Sequence, residues 1–125
     1  DCLLRDDALS LYVVTDGMGG HAAGEVASHL AVETIHEFIR SSQNADGVTW
    51  PWGINPRLTL AGNRLHTAIQ LANRRIYGAA QEQALADATS MPLARVREAL
   101  NAHGLAHPNS FTTSISTLLQ MRSRL

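Results

Sequence analysis

The sequence predicts an α+β fold. Two apolar runs near the start, residues 3–4 and 9–15, read as β-strands. Two long segments, residues 22–41 and 57–83, repeat apolar residues at three and four, the spacing of amphipathic helices. Two such helices cannot bury their apolar stripes on a single hairpin, so a larger sheet is expected to accompany the two visible strands.

The second strand is the clearer one, with Leu11, Tyr12, Val13 and Val14 in succession. A polar turn, RDDA, separates it from the first, which makes a hairpin. Gly17, Gly19 and Gly20 then break the strand pattern. The first helix follows, with Ala23, Ala27, Leu30, Ala31, Thr34, Ile35 and Phe38 as its expected buried stripe. Glu25, His29, Glu33, His36, Glu37 and Arg40 fall on the other side. Glu25 in the first turn and Arg40 in the last complement the helix dipole.

Residues 41–56 form a connector whose Trp50 and Trp52 are expected to pack over a core edge. In the second helix the expected stripe is Leu58, Ala61, Leu65, Ala68, Ile69, Ala72, Ile76 and Ala79, with Gly78 as a bend or an end. Beyond residue 83 a short helix is expected, with Pro92 near its start, Leu93, Val96 and Leu100 as its stripe, and Gly104 at its end. The weak alternation of Phe111, Thr113, Ile115 and Thr117 permits one more strand.

Composition narrows the function classes. The 125 residues suit one domain with a modest core, and the hydrophobic fraction of 45% is ordinary for a globular protein. A formal net charge of -1 gives no electrostatic case for nucleic acid or an anionic membrane. The single cysteine, Cys2, cannot form an internal disulfide, which favours a reducing compartment. No apolar run approaches the roughly 18 residues of a membrane helix, and DCLLRDD is no signal peptide. A cytoplasmic protein is expected. The chain begins with Asp instead of Met, so a preceding segment is expected too.

The chemistry concentrates at Asp16, where a strand runs into a glycine-rich loop. A carboxylate there needs hydrogen bonds or a cation. One reading is a turn or capping aspartate that uses the free N–H groups of the following helix. The other is a ligand for a hard cation such as Mg²⁺ or Mn²⁺, with the unobstructed Gly17 carbonyl as a second oxygen donor. Further carboxylates would have to come from elsewhere. On an antiparallel partner strand Asp1 lies at the same sheet end as Asp16, whereas Asp6 and Asp7 lie at the turn.

Other motifs fit less well. Gly17, Gly19 and Ala22 match a dinucleotide-binding fingerprint, but Asp16 would face the pyrophosphate and no second strand follows the helix. The nucleotide-hydrolase phosphate loop requires a lysine, and all ten basic residues are arginine. Glu33 and His36 have a di-iron spacing without the partner carboxylates such a site needs.

The phrase LYVVTDGMGGHAAGEVASHLA closely resembles the metal-dependent protein serine/threonine phosphatases of the PPM family in their bacterial form. The family pattern is a hydrophobic strand, D-G-x-G-G-H, and then A-G-E. Asp16, Gly17, Met18, Gly19, Gly20, His21, Gly24 and Glu25 stand in those places. Asp1 resembles the last residue of the family's Asn-Glu-Asp run, and LANRRIYGAAQE is of the family's second-helix type. The likeness covers residues 1–82.

The resemblance implies a four-layer α/β/β/α sandwich of two antiparallel sheets flanked by helices, of which residues 1–83 are the N-terminal part. It implies two Mg²⁺ or Mn²⁺ ions in the intact domain, bridged by Asp16 and bound by the Gly17 carbonyl, with Asp1 acting through metal-bound water. An activated water would hydrolyse phosphoserine or phosphothreonine in protein substrates. Some family members place a proposed acid directly after Asp-Gly. Met18 stands there in this chain, which leaves His21 as the one candidate catalytic residue beside a packing or capping role.

The family's phosphate-binding arginine and the Glu of its Asn-Glu-Asp run would precede Asp1. Its Gly-Met-Gly-Thr-Thr strand does not appear in residues 84–125, and the one aspartate there, Asp87, stands in a poor context for the family's further metal-binding aspartates; this stretch reads as a divergent, truncated or frame-shifted tail. Weak or incomplete metal binding and an inactive isolated chain are therefore expected. The alternatives are a non-catalytic remnant or regulatory binding module on the same scaffold and, further off, a dinucleotide module.

Overall fold

The structure, a computed structural model, describes residues 1–17, 21–44 and 47–102, without the side chain of His21. Among the described residues it is a small α+β fold with one two-stranded antiparallel sheet. Two compact units divide the chain, Asp1–Ile76 and Tyr77–Leu125. The second sheet of a four-layer sandwich is not present among the described residues.

In the first unit, β1 (Cys2–Asp6) pairs with β2 (Leu11–Thr15) in the register Cys2↔Thr15 through Asp6↔Leu11. The strand limits differ from expectation: Arg5 and Asp6 belong to β1, and the turn takes residues 7–10. Side-chain chemistry explains the shift. The Asp6 carboxylate accepts the Leu9 N–H at 3.2 Å, closing the turn from the strand side. The Ser10 N–H donates to the Asp7 carbonyl at 3.2 Å, and Ser10 adopts a left-handed φ of 51°, so extended backbone begins only at Leu11 and Leu9 stays outside β2.

The sheet alternates as a half-covered hairpin should. Leu4, Leu11 and Val13 turn inward, while Leu3, Tyr12 and Val14 stay exposed at 74%, 64% and 76%. Helix α1 (His21–Ser41) packs against both strands. Its buried line is Gly24, Ser28, Val32, Ile35 and Ile39, continued by Ser42 just past its end. That line is rotated from the predicted stripe: Ala23 is exposed, and Val32 and Ile39 are core residues. The small residues of the first two turns let the hairpin approach closely, which brings the next residue around the helix inward. Arg40 lies in the last turn as expected, but the first turn holds no acid because Glu25 follows it.

The core of this unit gathers Leu11, Ile35, Ile39, Ala68 and Ala72, with Leu4, Leu9, Val13 and Phe38 packed on it. Each large aliphatic side chain buried there contributes about 2 kcal/mol. Ala68 and Ala72 belong to α2 (Leu60–Thr89). The predicted α2 stripe is only partly realised, since Leu58, Leu65 and Ile69 remain exposed.

The helix starts where Thr59 caps it, its hydroxyl accepting the Gly62 N–H at 3.0 Å. Buried Asn63 ties the connector to this first turn. Its side-chain oxygen accepts the Asn55 N–H at 2.8 Å, and its amide donates to the Asn55 carbonyl at 3.0 Å. Trp50 meets Phe38 edge to face at 6.1 Å, which matches the expected packing. Trp52 is exposed and carries the Arg74 guanidinium 5.5 Å from its ring centre.

Gly78 does not end α2, which continues to Thr89. Ser90 then takes a φ of 55°, and the Met91 N–H donates to the Ala86 carbonyl at 3.2 Å. This is a Schellman ending, completed by packing of Met91 with Ala86. In the second unit α3 (Leu93–Ala102) follows Pro92. Val96, Ala99 and Leu100 are buried with Leu85 and Met91, and Leu93 packs against them, so the predicted stripe is realised. Arg97 pairs with Glu82 at 2.7 Å. Gly104 and the strand expected around Phe111 to Thr117 lie outside the described residues.

Candidate functional site

The end of β2 is fixed to α1 from two directions. The Thr15 hydroxyl donates to the Ser28 carbonyl at 3.1 Å and stands 3.4 Å from the Cys2 carbonyl. Immediately beyond, Gly17 and Gly24 meet backbone to backbone. A Cβ on Gly24 would lie 2.7 Å from the Gly17 carbonyl oxygen, and a Cβ on Gly17 would overlap the Gly24 carbonyl. Real side-chain carbons do not approach that closely, so both positions require glycine for contact, without any appeal to a turn.

Asp16 sits between these two anchors, exposed, at the open end of the hairpin. The register places Asp1 at the same end, also exposed. Two features there escaped the sequence reading. The Cys2 thiol lies 3.7 Å from His29 Nδ1, a contact between β1 and α1 that no spacing rule announces. Ser28 is buried, and its hydroxyl has no partner among the described residues. The side chain of His21 lies outside the described residues, as do Met18, Gly19 and Gly20.

The other two aspartates of the hairpin are engaged at the turn end. Asp6 meets His36 Nε2 at 2.8 Å across the gap to α1. That hydrogen bond, with the one from Leu9 N–H, holds the Asp6 carboxyl below its ordinary value of 3.8. Asp7 accepts Arg5 Nε at 3.1 Å and the Tyr12 hydroxyl at 2.8 Å. Arg5 first and Tyr12 second lower its pKa, and the same contact raises that of Tyr12. His36 and Glu33, adjacent in the sequence pattern, go to different partners: Glu33 lies 3.7 Å from Arg75.

This distribution corrects the metal expectation. Among the described residues, no three His, Cys, Asp or Glu side chains come together where they could hold a metal ion. The predicted Mg²⁺ or Mn²⁺ centre, even a weak one, therefore does not fit the residues that are placed. The cause is the hairpin itself. Its open end presents Asp16 and Asp1, while the register places Asp6 and Asp7 at the turn end, where His36, Arg5 and Tyr12 engage them.

No protein-family model, no curated protein and no solved structure matches the chain. No helix among the described residues is long and apolar enough to cross a membrane. Between α1 and α2 the described residues contain no strand, so nothing there stands in the place of the second strand of a dinucleotide-binding unit.

Proposed function

We propose that residues 1–83 of this chain are the N-terminal part, beginning with the first hairpin and first helix, of a protein serine/threonine phosphatase domain, the enzyme class that hydrolyses phosphoserine and phosphothreonine in proteins. By itself the chain is non-catalytic. The observation that supports this reading is the contact of Gly17 with Gly24. It gives the glycines of D-G and A-G-E one shared physical purpose, the locking of a strand end against a helix start so that Asp16 is held between them.

The exposed outer face of the hairpin supports the same reading. Leu3, Tyr12 and Val14 form an exposed apolar surface on a sheet that, among the described residues, is covered on its other side by α1. A second antiparallel sheet packed on that surface would complete the four-layer sandwich. The same uncovered face favours the alternative for the chain in isolation, a remnant or regulatory binding module built on the phosphatase scaffold.

The test is a chimera. Residues 11–25 of this chain replace the corresponding segment of an active phosphatase of the resembled family, and phosphate release from a phosphothreonine peptide is measured. Retained hydrolysis that is lost on Asp16→Ala, with folding intact by circular dichroism, is the expected result. A folded chimera without activity overturns the phosphatase reading. Phosphate release by the isolated chain, abolished by Asp16→Ala, overturns the claim that it is non-catalytic alone.

A further inference from the structure

We draw no further inference here: the strongest candidate, the exposed apolar stripe of Leu58, Leu65 and Ile69 leading into and along one flank of α2, carries nothing because nothing in the structure shows what covers it.

Discussion

Gly24 occupies the fourth position of α1, where alanine would ordinarily favour the helix by about 1 kcal/mol. The contact with Gly17 reverses that preference, because the added carbon meets backbone that cannot rotate away. Gly24→Ala is expected to destabilise the chain by about 1–3 kcal/mol, read as a lower melting temperature. Gly78→Ala is the matched control. It lies inside α2 with open space around it, so alanine there is expected to stabilise by about 0.5–1 kcal/mol. A stabilising Gly24→Ala would show that the two backbones do not touch.

Asp6 gives a second residue-level expectation. Its folded pKa lies below the ordinary 3.8, so its contacts stabilise the fold fully above that value. The contribution is lost as pH falls through the lower folded value. Urea melts between about pH 5 and pH 2 are expected to show a shallower acid loss for Asp6→Asn than for the parent chain. Identical slopes would mean that His36 and Leu9 do not hold the carboxylate.

At the level of elements, the hairpin, both long helices and the short third helix were legible because each announces itself by local periodicity. Which side of α1 faces the core was less so. Counting apolar residues favoured Ala23 and Ala27, whereas the close contact at Gly24 and Ser28 turns Val32 and Ile39 inward. Small residues carry no hydropathy signal for such an approach. The pairs Asp6–His36 and Cys2–His29 were illegible for a related reason, since each joins residues 30 and 27 positions apart. Asp16 was placed correctly at the strand end by pattern alone, but its neighbours in space depend on register and packing.

The end of α2 is predicted near residue 83, six residues short of Thr89, because no glycine marks the true end; Ser90 performs the left-handed turn that glycine usually makes. A left-handed conformation costs a non-glycine residue about 1–2 kcal/mol. Ser90→Gly should therefore raise stability by about 1 kcal/mol, measured by thermal melting of the full chain. A decrease would place the Ser90 side chain in a contact more valuable than the strain it carries.

For the molecule as a whole, the outer face of the hairpin is expected, on the proposed phosphatase reading, to behave differently in the isolated chain and in a completed two-sheet domain. Leu3→Thr with Val14→Thr removes apolar surface without lowering strand preference. In the isolated chain this pair is expected to change stability by no more than about 0.5 kcal/mol per site while reducing the binding of an apolar fluorescent dye. Introduced into the active phosphatase host along with the whole hairpin, residues 1–15, the same pair is expected to cost 2 kcal/mol or more, roughly the price of opening a cavity in a core. Equal small effects in both settings would mean that no sheet covers this face.

Helix α2 crosses from one compact unit to the other without interruption, the division falling between Ile76 and Tyr77. Proteases and domain-dissection strategies rely on exposed, irregular backbone at such divisions. Here the cut would fall on hydrogen-bonded helix. A fragment ending at Ile76 would keep Ala68 and Ala72 for the hairpin core but leave their turn of helix with a freshly frayed end. The complementary fragment would lose the helical run that leads into Leu85 and Ala86. Neither unit can be excised with clean termini, so the chain is expected to resist limited proteolysis between Ile76 and Tyr77.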